Sequence, residues 1–337
     1  MSDTRADQMT AFLAASGWGG AARTNIAGDA SNRRYDRLRS TDGRCVVLMD
    51  APPDKGEDVR PFVRITQALR AHGLSAPEVI AEDAELGFLL LEDLGDALFA
   101  KVVQANPTLE RPLYEAAVDV LLHLHGATPP ALAPYDAATM TPLAALAFDW
   151  YLPGTTDPAA KAAFEATCHA ALAPLDTALD VLIQRDYHAE NLLWLPDRTG
   201  VARVGLLDYQ DAMRGHRAYD LVSILQDARR DVPAPLAQDM ILRYVANADL
   251  EPEPFTTAYA CLGMQRNMRI LGVFARLSMA YGKPHYVDLI PRVWGHLMTA
   301  LDHPALADVA PAITDVLPPP TDDLLTGLRD KCGRVPL

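Results

Sequence analysis

The spacing of apolar positions changes twice along this chain. Near the N-terminus Met9, Phe12 and Leu13 share one face at helical spacing, and Gly17 offers a stop, so a short amphipathic helix is expected over 2–16. Within "NIAGDASNRRYDRLRSTDGRCVVLMDAPP" the pattern predicts two strands. The second is the apolar run "CVVLM", and "TDG" turns the chain between them. Phe62, Ile65 and Leu69 then return to helical spacing, with Gly73 as the C-terminal stop. "PEVIAEDAELGFLLLEDLG" predicts two more strands around an acidic turn.

Beyond that point helical patterning dominates. "RPLYEAAVDVLLHLHGATPP" predicts an amphipathic helix ended by Gly126 and Pro129. The Ala-rich segment from Ala159 to Leu172 and the stretch from Tyr219 to about Leu301 continue in kind. Short strands interrupt them at "LDVLI", "LLWL" and "VARVGLL". The expected class is α+β with two lobes, a small β-rich lobe over 1–92 and a larger, mostly helical lobe over 93–337. Such a layout invites a ligand into the cleft between lobes.

Composition narrows the partners. The 337 residues are 50% hydrophobic and 22% charged, with a formal net charge of −14. That field repels a polyanion, so nucleic acid is not an expected partner. Cys45, Cys168, Cys261 and Cys332 stand alone, without a C-x-x-C pair, which argues against structural zinc and suits a reducing compartment. The polar, acidic N-terminus does not read as a signal peptide. No apolar run approaches the ~18 residues of a membrane span. The expectation is a cytoplasmic protein without a membrane partner.

The chemistry concentrates in "QRDYHAENLLWLP", residues 184–196. Asp186 and Asn191 stand five positions apart between two apolar runs, and Asp208 closes the next one in "VGLLDYQDA". Phosphoryl transfer needs these parts: a carboxylate to orient and deprotonate an attacking hydroxyl, and hard oxygen ligands for magnesium on the nucleotide phosphates. An Asp with an Asn five residues on is common by chance. With Asp208 and Asp220 following in order, the catalytic reading outweighs a turn or a helix cap.

At these residues the chain resembles a known group. "RDYHAENLLW", "GLLDYQDAMRGHRAYDLVSIL" are similar to the corresponding motifs of aminoglycoside phosphotransferases and choline kinases, small-molecule kinases with a protein-kinase-like fold. The resemblance implies Asp186 as catalytic base, Asn191 and Asp208 as ligands of Mg2+, and ATP as donor. It implies that Gln184, where the pattern has His, and Asp220, opening a helix, hold the loop. "GDASNRRY" matches the turn that covers the phosphates, with Ser31, Asn32 and Arg34 as contacts. "FLLLEDLG" matches the hinge, with Glu92 and Leu94 meeting adenine through their backbone. "VVLMDAPPDKGEDVRPF", "DWYL" and "QRNMRILGVFARL" resemble one branch more closely, the bacterial anomeric kinases that act on N-acetylmuramate and N-acetylglucosamine in peptidoglycan recycling. That implies a small-molecule amino sugar as substrate. The alternatives are an aminoglycoside or another small alcohol and, in a different class, a nucleotide-binding pseudokinase.

One departure bears on mechanism. Kinases usually carry a Lys on the third strand against the α- and β-phosphates, and "CVVLM" has none; the first Lys is Lys55. Arg34 or Arg37 takes that part, or metal alone carries the charge. On the substrate side, Asp93 and Asp211 are candidate contacts for sugar hydroxyls, and His188 lies within the loop. Arg266, Arg269 and Arg276 form a helical stripe. It is either a solvated basic face or, through Arg269, a clamp for a substrate carboxylate. His123 and His125 at i and i+2 point apart, so helix packing suits them better than joint metal ligation.

Overall fold

Thr4 begins the first helix with a capping box: its hydroxyl accepts from the Asp7 N–H, and the Asp7 carboxylate accepts the Thr4 N–H at 3.1 Å. A computed structural model describes residues 4–26, 32–152 and 157–336. Their contacts divide into two compact units, Met1–Val120 with Ala189–Ala212, and Leu121–His188 with Met213–Leu337.

The first unit is built on a five-stranded antiparallel sheet in the order β1 (Ala22–Ile26), β2 (Arg34–Arg39), β3 (Cys45–Asp50), β5 (Phe88–Glu92), β4 (Val79–Asp83). Cross-strand partners share a face. Leu38 opposes Val46, and Leu48 opposes Leu90. These four, with Phe88, pack against Phe12 and Leu13 of α1 (Arg5–Ala15) and against Trp18. Tyr35, Arg37, Val47 and Met49 therefore belong to the opposite face, by the period of two along each strand. α2 (Arg60–Ala71) lies between β3 and β4 in the chain and ends at Gly73, whose φ of +74° is left-handed backbone that a glycine adopts without strain.

Two helices, α3 (Phe99–Ala105) and the start of α4 (Glu110–His125), follow the sheet. The segment 189–212 belongs to the same unit. Its two-stranded sheet, β7 (Leu192–Trp194) with β8 (Val204–Leu206), is tied to the larger sheet's connections. The Leu206 N–H donates to Ser75, the Trp194 N–H donates to Ala97, and Arg198 bridges the Ser75 hydroxyl and the Glu92 carboxylate.

The second unit is mostly helical. It holds α5 (Ala137–Trp150), α6 (Pro158–Leu172), α7 (Ala218–Leu225), α8 (Ala234–Asn247), α9 (Pro252–Met279), α10 (Ile290–Leu301), α11 (Ala310–Thr314) and α12 (Asp322–Asp330). The 28-residue α9 runs through its core and packs on α5, α7 and α10. A short sheet pairs β6 (Leu179–Ile183) with β9 (Met213–His216).

One strand expectation changes. β1 is an additional strand, "ARTNI", almost wholly exposed; an edge strand without a buried face carries no hydrophobic alternation to read. The runs "LDVLI" and "LLWL" form β6 and β7 as expected. Each takes a later partner, β9 and β8, and the loop between them passes from one compact unit into the other.

Candidate active site

In the first unit the register of the small sheet fixes one pair of side chains. Leu192 opposes Leu206, and one step further out the Leu207 N–H donates to the Asn191 carbonyl at 3.0 Å. Asp208 follows at once, with φ at +59°, a left-handed conformation that Asp tolerates better than most residues. The result is an Asn191 amide 3.5 Å from the Asp208 carboxylate, whose other oxygen accepts from the Gln210 amide at 2.9 Å. A half-turn of the Asn191 side chain would present its oxygen beside an exposed carboxylate. This donor set fits Mg2+, which keeps several waters and leans on one or two protein oxygens plus substrate phosphates. Among the described residues no cluster of three or more His, Cys, Asp or Glu is arranged to hold a metal unaided.

In the second unit a buried acid anchors the loop. Asp220 lies in the first turn of α7 and is fully buried. Its two carboxylate oxygens accept the backbone N–H groups of Gln184 at 2.6 Å and Arg185 at 2.9 Å. The Ser223 hydroxyl adds a bond to the Arg185 carbonyl at 3.3 Å. These contacts hold Arg185 at φ +73°, a strained conformation for a non-glycine residue, immediately before Asp186. Gln184 is held through its backbone; its side-chain NH2 is buried and finds no partner among the described residues. Burial drives the Asp220 carboxyl up to about 7, against the two N–H donors, and the Asp186 charge pushes the same way as burial.

Asp186 sits in a positive field. Burial alone would raise its pKa, but Arg269 and then Arg266, both on α9, outweigh it and hold the carboxyl below its ordinary value. The basic stripe on α9 is thus no solvated face. Arg266 is 4% exposed and donates to the Ser223 hydroxyl at 2.8 Å. Arg269 reaches the Tyr219 hydroxyl at 3.5 Å. Tyr219 packs edge-on to Tyr135, with ring centroids 5.1 Å apart, and the Arg185 guanidinium covers the Tyr135 ring at 5.2 Å. The neighbouring His188 is buried, and the Arg229 guanidinium lies 3.2 Å from its Nε2. Burial first, then the Arg229 charge, depress it to about 4, so the ring is neutral.

The other expected residues are scattered. Ser31 lies outside the described residues. In the first unit the Asn32 N–H donates to Glu57 at 3.0 Å. Arg34, expected at the phosphates, pairs in register with Asp50, which lies on the face that α1 covers and accepts from Arg5. Arg37 is engaged by two carboxylates, Asp93 at 2.7 Å and Asp96 at 2.7 Å. This occupies Asp93 as well, which was expected to meet a sugar hydroxyl. The Glu92 side chain accepts from Arg198 at 2.5 Å and Arg70 at 3.4 Å, and a Leu94 methyl packs near Gly205. Asp211 is exposed, within electrostatic range of Arg33. The motifs did not single out Arg33, Tyr35, Glu57, Tyr135 or Tyr219. Arg33 stood in the quoted "GDASNRRY", yet choosing among adjacent arginines needs the partner each one meets, here Glu57 for Arg33.

The profile of the phosphotransferase enzyme family matches residues 23–254 of this chain. The chain is 38% identical to the N-acetylmuramate/N-acetylglucosamine kinase of Caulobacter vibrioides, over 92% of this chain and 96% of that protein. It is 33% identical to the kinase of the same name from Pseudomonas aeruginosa, over 91% and 95%. Its fold is similar to a choline/ethanolamine kinase family protein from Mesorhizobium loti, with a TM-score of 0.60 at 14% identity over 97% of this chain and 100% of the other.

Proposed function

Because this chain belongs to the phosphotransferase enzyme family, we propose that it phosphorylates the anomeric hydroxyl of N-acetylmuramate and N-acetylglucosamine. It is a kinase with an alcohol acceptor, and ATP is the phosphate donor. The observation that carries the reading is Asp186, a carboxylate held ionised by Arg269 and Arg266 beside a loop strapped down by Asp220. The names of the two relatives supply the sugar.

Asp186 accepts the hydrogen bond of the C1 hydroxyl and points its oxygen at the γ-phosphorus. As the new P–O bond forms and the bridge to the β-phosphate breaks, the hydroxyl proton passes to Asp186 and ADP leaves. A carboxylate with a depressed pKa is a weak base. It suffices because the phosphoryl transition state is loose and asks little proton abstraction early on, and because an anomeric hydroxyl is more acidic than an ordinary alcohol. Asn191 and Asp208 would hold Mg2+, which when bound neutralises charge on the phosphates. Arg269, backed by the Tyr219–Tyr135 pair, would receive the lactyl carboxylate of N-acetylmuramate, an anion that a chain of net charge −14 must meet with a local cation.

The test is an ATP-consumption panel containing both sugars, the 1-O-methyl glycoside of N-acetylglucosamine, kanamycin and choline. Turnover with the free sugars and none with the capped glycoside is expected. Preference for kanamycin or choline would replace the sugar reading while leaving the kinase in place.

A further inference from the structure

Arg33 and Glu57 form an ion pair, Nε to carboxylate oxygen at 2.8 Å, with only 13% and 11% of the side chains exposed. Glu57 lies in the turn before α2, and its other oxygen accepts the Asn32 N–H at 3.0 Å. One carboxylate thus fixes both the guanidinium and the backbone at the entrance to β2. We propose that Arg33, clamped by Glu57, is the cation that grips the nucleotide phosphates, filling the part of the lysine that β3 lacks. This rests on the reading of the chain as an ATP-dependent kinase.

Its position supports it. A lysine on β3 facing away from α1 would stand at Val47 or Met49. Opposite Met49 on β2 is Tyr35, and Arg33 lies just ahead of that strand, beside Tyr35. Tyr35 accepts a hydrogen bond from Arg33 and lies within electrostatic range of Asp208, and Arg33 lies within range of Asp211. The guanidinium therefore lies in the same unit as the Asn191–Asp208 pair, and Tyr35 beside it feels the Asp208 charge. Its two rivals do not serve: Arg34 is on the α1 face beside Asp50, and Arg37 is committed to Asp93 and Asp96. The cation would then stand just ahead of β2, not on β3. A guanidinium is planar and carries five donors, the geometry that meets phosphate oxygens bidentately. Burial works against the Arg33 charge, and the Glu57 and Asp211 carboxylates favour it, so the group keeps its proton firmly.

The experiment is calorimetric titration of the full chain with ADP and with adenosine in the presence of Mg2+. No sugar is needed, so the result is independent of which acceptor the enzyme uses. Arg33→Ala should weaken ADP binding roughly 10- to 100-fold, the loss of one or two charged hydrogen bonds, and leave adenosine binding unchanged. Arg33→Lys should recover part of the loss, Glu57→Gln should fall between, and Arg39→Ala, the same charge change at the far end of β2, should match the parent. Unchanged ADP affinity in Arg33→Ala, or an equal loss for adenosine, would overturn the proposal. If Arg33→Ala does not fold, parental ADP affinity in both Arg33→Lys and Glu57→Gln would overturn it instead.

Discussion

Asp186 and Arg269 act as one electrostatic unit, so each predicts the other's behaviour. Asp186→Asn keeps the shape of the side chain and removes the proposed proton acceptor. Turnover should fall by ~10²–10⁴ while ADP affinity, read by calorimetry, stays close to the parent. Because Arg269 is the largest charge holding Asp186 ionised, Arg269→Ala should raise the pKa of the acid limb in the pH profile of kcat. The sign follows from removing an opposite charge, which favours the protonated carboxyl. The same variant should cost N-acetylmuramate ~1–3 kcal/mol more in kcat/KM than N-acetylglucosamine, if its carboxylate loses a charged hydrogen bond. Equal losses for the two sugars would confine Arg269 to tuning Asp186. At this scale order and spacing picked out Asp186, Asn191 and Asp208, and the family resemblance added Asp220. The sequence left Arg34 and Arg37 open and did not weigh Arg33, because the ion pairs that tell them apart, Arg33 with Glu57 and Arg37 with Asp93 and Asp96, join residues far apart in the chain.

Elements carry these residues through backbone contacts that tolerate no extra atoms. A Cβ at Gly272 of α9 would lie 2.4 Å from the Leu146 carbonyl carbon and 2.6 Å from the Ala147 nitrogen on α5. Gly272→Ala must therefore separate two helix backbones, not merely turn a side chain. It should destabilise the protein by ~1–3 kcal/mol or more in urea unfolding, despite the better helix propensity of Ala. Since α9 also carries Arg266 and Arg269, the remaining folded fraction should show a higher acid limb in kcat. An unchanged urea midpoint would mean that the two helices can part at little cost. Helical elements were legible where apolar spacing and a glycine stop coincided, as at α2 with Gly73. The exposed β1 was not, for want of an apolar stripe. The pairing of β6 with β9 and of β7 with β8 was not either, since strand partners across intervening loops leave no local signal.

Across the whole molecule the histidines set the acid stability. His125 is driven down to about 3 by burial and then by Arg217, with the Tyr244 hydroxyl 2.7 Å from its Nδ1. His188 and His216 are driven to about 4, burial again leading. An unfolded chain protonates each near pH 6.5 while the folded chain does not, so stability falls as pH drops from about 6.5 toward 4, by up to ~1.4 kcal/mol per pH unit for each group. Asp220 works against this. Its folded value of about 7 lies above the ordinary carboxylate range, so the fold holds a proton there that the unfolded chain has lost. These three histidines, with His296 shifted the same way by burial, outweigh the one aspartate and leave a net loss. Thermal melts should show Tm falling steadily from pH 6.5 to 4.5, and His125→Gln should flatten that slope; a Tm that rises over the range would contradict these assignments. The central claim concerns the bond formed. It is tested most directly by a two-dimensional ¹H–³¹P correlation of the product from N-acetylglucosamine and ATP. The phosphorus should couple to the anomeric proton. Coupling to the proton on C3, C4 or C6 would contradict an anomeric kinase.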